Sequence, residues 1–576
     1  MSDCTTQRSV VGRTACALLL VLMVVVSASC LFRTPLHEYL SGVTGEEDLW
    51  EQVKGFGRLI VLRLTCPPPH LESNVPVAHT GVNPFGINTF LEQEVELEKV
   101  DRSLRLIRDA GFCWIRQEFP WEDIEQSGRG DFWDHKWGYS AWEKYDQIVK
   151  LADEYGLQII ARLDNPPAWS RAEGDAIGAL APPDDLADFG NFVYAVVSRY
   201  QGKIKYYQIW NEPNIYPEWG EQPVDAAAYV RLLQVAYRRA KEADPDCVIL
   251  SAGLAQTLEP GPMNLNDLIY FQQMYDAGVQ GCFDIMGVMA YGLWTGPGDH
   301  RTHPDLTNFS RPQLIREIMV RNGDANKPLW VTEVGWNAVP PDFPSFPTYG
   351  RVTEEQQARY AVLAYQRAQE EWPWMGVLNY WFFKRATDTE TDQVFYYFRM
   401  LEPDFTPLPV YEAMKEYANQ APLVHIGYHQ EDHWALEWAG DWERVEDGRA
   451  VLGSFYRSSQ PGDTLRFAFV GTDLELVVHK GPEDSMLQVT VDDGEPIDIT
   501  LKSAASEYDV HIPLAEGLRD DAHHVEIVTL GEEGTQVSID GLVVRRQRSW
   551  VPYIVVPAAL ALLAGIAATF WRRTRT

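Results

Sequence analysis

Two acidic residues stand where apolar runs usually stay apolar. In "YYQIWNEPN", Tyr206 to Asn214, a buried-looking stretch ends in Asn211, Glu212 and Pro213, and in "PLWVTEVGWN", which starts at Pro328, a second such run carries Glu333. Other runs contribute Arg116 in "WIRQEF", Tyr291 near the end of "FDIMGVMAYG" and Trp381 in "MGVLNYWFF". One carboxyl that can give a proton and one carboxylate that can attack are the parts of general acid–base and nucleophilic catalysis. A lone Glu at a strand end is most often solvated or salt-bridged. Two of them, accompanied by Arg, Asn, Tyr and Trp, are poorly explained that way.

These residues need elements to bring them together. Eight apolar runs, beginning at Phe85, Trp114, Leu157, Ile204, Cys247, Phe283, Pro328 and Met375, alternate with helical patterns such as 94–111, where Val100, Leu104 and Ile107 recur at helical spacing. Eight strand–helix units predict a (β/α)8 TIM barrel over residues 80–421. An open doubly wound sheet is the competitor, but no G-x-G-x-x-G or phosphate-loop motif follows the first strand, so its nucleotide-binding forms lose support. A barrel presents the C-terminal ends of its strands at one face, where Arg116, Asn211, Glu212, Tyr291, Glu333 and Trp381 would converge. Residues 33–79 carry no clear pattern and are expected to be a linker with some local structure. From 422 to 548 short alternating runs such as "TLRFAFVG" and "MLQVTVDDG" predict a β-sandwich, whose Trp434, Trp438, Trp442 and Phe455 could pack or bind sugar. A spacer is its expected role.

The motifs "IWNEPN" and "LWVTEVGW" resemble the acid/base and nucleophile motifs of the clan A retaining glycoside hydrolases, and the texture is similar to families 39 and 5. "FYYFRMLEPDFTPLPVYEAM" resembles the closing segment of such barrels. The resemblance implies Glu212 as general acid/base and Glu333 as nucleophile. It further implies Arg116 and Tyr291 as donors to Glu333, Asn211 as holder of a sugar 2-hydroxyl, and Trp381 as a stacking floor. Breaking a glycosidic bond with retention needs those two acids, one protonated and one ionised, on opposite sides of the bond.

Asp164, Asn165, Trp169, Trp294 and Trp336 follow candidate strands and are expected to bind substrate, as could Trp121, Tyr216 and Trp219. Each aromatic taken alone is more often packing. A catalytically silent carbohydrate-binding protein, a transglycosylase on the same site and a structural stalk remain alternatives. Sugar stereochemistry and endo or exo action are not written in the spacing.

Composition trims the partners. The 576 residues carry a net charge of −33, which disfavours nucleic acid. The 20 Trp and 26 Tyr suit sugar faces as well as cores. Residues 1–32 combine Arg8 and Arg13, the apolar run 15–26 and small residues before Cys30, the order of a signal peptide or N-terminal anchor, with lipidation of Cys30 open. Residues 551–571 are long and apolar enough for a transmembrane helix, leaving 572–576 as a cytoplasmic tail. The chain is therefore expected to be exported and membrane-anchored, with the barrel outside. Cys66, Cys113, Cys247 and Cys282 match no metal-ligand spacing, and no metal or cofactor is expected. A Cys247–Cys282 disulfide and free thiols both remain open.

Overall fold

The structure is a computed structural model and describes residues 36–547. The leader with Cys30, the apolar run 551–571 and the tail 572–576 lie outside those residues. Among the described residues, no helix is long and apolar enough to cross a membrane. The chain divides after Ala421 into two compact units.

The first unit opens with a helical stretch over 36–44 and a helix α1 (Leu49–Thr65). Eight parallel strands follow: β1 (Phe85–Thr89), β2 (Trp114–Glu118), β3 (Gln158–Leu163), β4 (Tyr206–Ile209), β5 (Val248–Leu250), β6 (Met286–Met289), β7 (Leu329–Val334) and β8 (Met375–Tyr380). Helices separate or follow them: α2 (Leu97–Asp109), α3 (Glu143–Glu154), α4 (Leu186–Arg199), α5 (Ala226–Ala243), α6 (Asp267–Asp276), α7 (Pro312–Arg321), α8 (Glu354–Glu371) and α9 (Pro409–Ala418). Each helix buries one stripe, as α2 does with Val100, Ser103, Leu104 and Ile107. Some starts are written in sequence, as in α8, where Thr353 and Gln356 form a capping box.

The strands pair in the order β5-β4-β3-β2-β1-β8-β7-β6. Isolated parallel bridges, Leu250–Ile285 and Leu254–Val288, cross from β5 to β6, giving a near-closed barrel. Its interior near the strand starts is filled by Trp114, Ile160, Tyr206, Val248, Leu250, Ile285, Trp330 and Val377. The Tyr206 and Trp330 rings stack at 4.9 Å, and Trp114 meets Trp330 edge-on at 5.1 Å.

The segment expected to be a linker with some local structure carries two helical stretches, 36–44 and α1. Its signal was missed because α1 turns Gln52, Gly55 and Leu59 inward, a face without the large apolar stripe that announces a packed helix. Gln52 donates to Glu46 O at 2.9 Å, and a Cβ on Gly55 would meet Arg301 Nη1 at 3.2 Å. The four cysteines described are all free thiols, so Cys247 and Cys282 are not bridged.

The second unit is built from two antiparallel sheets. Its strands are β9 (Gly427–Gln430), β10 (Glu437–Ala439), β11 (Glu443–Glu446), β12 (Ser454–Ser458), β13 (Thr464–Gly471), β14 (Asp473–Lys480), β15 (Met486–Val491), β16 (Ile497–Thr500), β17 (Glu507–Ala515), β18 (Asp521–Leu530) and β19 (Val537–Arg545). One sheet runs β11-β12-β19-β14-β17, with β9 also on β19; the other runs β10-β13-β18-β15-β16. Alternate residues of both, including Leu465, Phe467, Leu476, Leu487, Ile527 and Ile539, share one apolar core, which is the arrangement of a β-sandwich. Trp434, Trp438 and Trp442 pack against that core and Phe455 is buried, so all four serve the packing of the unit.

Candidate active site

Two local irregularities aim the glutamates. Along β7 the pairing with β6 passes from Val288–Val331 directly to Met289–Glu333, and the pairing with β8 passes from Leu378–Val331 to Tyr380–Val334. Both neighbours therefore see one extra residue in β7 just before or at Glu333. A bulge of this kind re-aims the side chain that follows it, here after Trp330 has already packed into the floor. At the end of β4, Trp210 has φ 71° and Glu212 φ 40°, left-handed values that bulky L-residues avoid. Such conformations cost about 1–3 kcal/mol each and persist where surrounding contacts impose them. Here Trp210 N donates to Leu163 O at 3.0 Å, its indole N–H to Glu218 O at 2.9 Å, and Glu212 N to Gly253 O at 3.1 Å.

Arg116 organises the centre. Its Nη1 donates to Glu333 Oε1 at 3.1 Å and to Asn88 Oδ1 at 2.6 Å, its Nε to Gln208 Oε1 at 2.7 Å, and its Nη2 to Asn211 Oδ1 at 2.8 Å. The second oxygen of Glu333 accepts the Tyr291 hydroxyl at 2.7 Å. Burial first, then the charge of Glu333, pushes the Tyr291 pKa far up, so Tyr291 remains a donor. Burial disfavours charge on Arg116 while Glu333 favours it, and the guanidinium stays cationic in any case. Glu333 is thus a nearly buried side chain with a guanidinium on one oxygen and a hydroxyl on the other.

Glu212 is treated oppositely. Burial, and next the charges of Glu333 and Glu218, raise its pKa well above the ordinary carboxyl value, against the weaker pull of Arg116 and Arg162. The two glutamates thus sit in different surroundings, Glu333 under two donors and Glu212 where burial favours its proton.

The remaining expectations divide. Asp164 pairs with Arg162 Nε at 2.8 Å, and Asn165 donates to Glu118 Oε1 at 2.5 Å, so both belong to a charged network beside the glutamates. Burial raises Asp164 to about 8 against the pull of Arg162. Trp381 is half-buried at the end of β8, edge-on to Phe90. Trp294 is exposed and lies 5.8 Å from Phe346, on loops that touch where Gly350 (φ 80°) sits against Leu293. Trp169 is half-buried, its indole N–H given to Glu125 O at 2.7 Å. Trp336 is a correction: it is fully buried, packed on Phe309 and Tyr360 with its N–H on Thr295 O, and offers no face to a ligand. Trp121 and Trp219 are likewise buried, whereas Tyr216 is exposed.

The sequence passed over several members. Asn88 and Gln208, polar residues inside "FGINT" and "YYQI", were visible as interruptions of buried strands. Glu118 and Arg162 are register partners across β2 and β3, linked at 2.6 Å. Glu218 has no such signal, since it comes from the loop after β4. Burial raises its pKa to about 7, with Arg162 opposing and Glu333 reinforcing. Tyr349, on the 337–350 loop, has its pKa raised by burial and then by Glu212 and Glu333, which places it beside the pair.

Fold and site define a class: a near-closed (β/α)8 barrel with two glutamates at the C-terminal ends of its fourth and seventh strands, in contrasting surroundings. The chain is similar to several solved structures. One is a family 39 glycoside hydrolase from Bacteroides cellulosilyticus (19% identity, 82% of this chain and 83% of that one, TM-score 0.45). Another is a monomeric beta-xylosidase from Caulobacter crescentus (15% identity, 81% and 99%, TM-score 0.42). A third is a GH5_18 from Streptomyces cattleya in complex with GlcNAc (15% identity, 60% and 83%, TM-score 0.45). The family model described as carbohydrate esterase 2 N-terminal matches residues 448–552, a stretch of the second unit. No curated protein matches the chain.

Proposed function

We propose that the barrel is a retaining glycoside hydrolase, cleaving β-glycosidic bonds of an extracellular oligo- or polysaccharide by double displacement. The observation that supports this best is the contrast between the two glutamates: Glu333 accepts from Arg116 and Tyr291, while burial and then the charge of Glu333 raise the pKa of Glu212. In this reading Glu333 attacks the anomeric carbon and Glu212 protonates the departing oxygen. Glu212 then takes a proton from the water that releases the sugar. Asn211, oriented through its Oδ1 by Arg116, is left with its amide N–H groups for a sugar hydroxyl or for Glu218, to which it hydrogen-bonds here. The silent-binder alternative leaves the two donors on Glu333 and the raised pKa of Glu212 without a purpose.

A panel of aryl β-glycosides and β-glycans, with the first-formed anomer followed by proton NMR, tests the proposal. Release of the β-anomer is expected. Release of the α-anomer, or no turnover on any β-linked sugar, would overturn it. Location belongs to the same proposal: the leader exports the chain and 551–571 holds it, with the barrel outside. Protease added to intact cells should then cut within 80–540, and full protection would refute that orientation.

A further inference from the structure

Helix α1 is inside out. A helix that packs on a domain normally turns its large apolar residues inward and its charges outward. Here Gln52, Gly55 and Leu59 face the rest of the unit. Trp50, Val53, Ile60, Val61 and Leu64 face away, with Trp50 67% and Leu64 81% exposed. At 100° per residue these five fall in one continuous arc opposite the buried face, interrupted only by Gly57. Exposed Tyr39, from the preceding stretch, extends the patch and meets Phe56 edge-on at 6.3 Å.

The borders of the arc are basic. Lys54 and Arg58 flank one side and Arg63 the other, all exposed, and within α1 the one acid is Glu51, which pairs with Lys54 at 2.5 Å. That is a local positive excess in a chain whose net charge is −33. The sequence upstream adds a constraint of reach. The apolar run 15–26 ends nine residues before 36, where the described residues start. Those nine residues, 27–35, span at most about 30 Å, so the start of the described chain stays within that reach of whatever holds the run.

We infer that α1 is a membrane-surface helix, lying in the headgroup region of an anionic bilayer with its Trp50–Leu64 face among the acyl chains and Lys54, Arg58 and Arg63 on lipid phosphates. An apolar arc bordered by basic residues is the pattern of such helices. The inference is independent of the catalytic reading. It places the barrel against the bilayer through its N-terminal part.

The test uses the full chain reconstituted in phosphatidylcholine vesicles containing about 30% phosphatidylglycerol, with a benzophenone amino acid in place of Val61. Illumination is expected to give a lipid adduct on the peptide that spans 49–65. The adduct should fall about 100-fold in the triple variant Lys54→Glu, Arg58→Glu, Arg63→Glu, because each basic residue near an anionic surface adds roughly 1 kcal/mol. Circular dichroism and melting temperature should be unchanged, since all three side chains are exposed. A crosslinked dimer would assign the face to a second copy. An intramolecular adduct to 1–35 or 548–576 would assign it to the chain's own ends. Either result, or no adduct at all, overturns the inference, as does a lipid adduct insensitive to the triple charge reversal.

Discussion

The two ends of the barrel interior are built from the same eight strands on opposite principles. Near the strand starts, Trp114, Tyr206, Trp330 and their aliphatic neighbours fill the space with shape alone. Near the strand ends, Asn88, Arg116, Gln208, Asn211 and Glu333 are just as buried yet almost entirely polar. Apolar packing tolerates exchange for residues of similar volume. A buried polar cluster tolerates little, because removing one partner strands the others without hydrogen bonds. Arg116 shows why: it meets four side chains with a planar fork that Lys could not reproduce. The floor therefore holds the fold, and the mouth holds a polar cluster at some cost to the fold.

Substitutions can break or sharpen that contrast. The largest effect is expected for Glu333→Gln, which should lose about 10⁴-fold or more in kcat on every substrate while folding normally, as removing a nucleophile does. Glu212→Gln should lose about 10²–10⁴-fold on substrates with poor leaving groups and much less on activated aryl glycosides, which need little protonation. At the floor, Trp330→Ala should lower stability by about 3–5 kcal/mol in urea unfolding, yet leave kcat/KM of the folded fraction within a few-fold. A large activity loss there without destabilisation would erase the distinction between the two ends.

The smallest effect concerns pH. Glu218 has its pKa raised from 4.5 to about 7, chiefly by burial. Between those values the folded state binds more protons than the unfolded state, so this group's contribution to stability is complete below pH 4.5 and is lost as pH rises through about 7. Glu218→Gln should flatten that decline by up to about 3 kcal/mol, measured as melting temperature against pH. An unchanged slope would show that Glu218 is not a buried proton holder.

The barrel was legible because its strands are continuous apolar runs and its helices carry regular stripes, and the two glutamates because they interrupt those runs. What stayed hidden has physical reasons. The bulge before Glu333 leaves no mark on a period-two pattern, so the residue's direction could not be read from spacing. Trp336 follows β7 just as a platform residue would, but the turn of the chain buries it. Glu218 and Tyr349 come from loops, where composition carries no positional signal. Helix α1 was passed over because its buried side is small and polar.

The central claim is that Glu212 and Glu333 do different jobs at one anomeric carbon, and azide tests it most directly. Small anions can occupy the space left by a truncated carboxylate and react where water or the nucleophile would. With an activated aryl β-glycoside, Glu212→Ala plus azide should give the β-glycosyl azide, since azide attacks the glycosyl-enzyme formed on Glu333. Glu333→Ala plus azide should give the α-glycosyl azide, since azide then replaces the nucleophile itself. The product anomer is read by NMR. The reverse pairing, or the same anomer from both variants, would contradict the assignment.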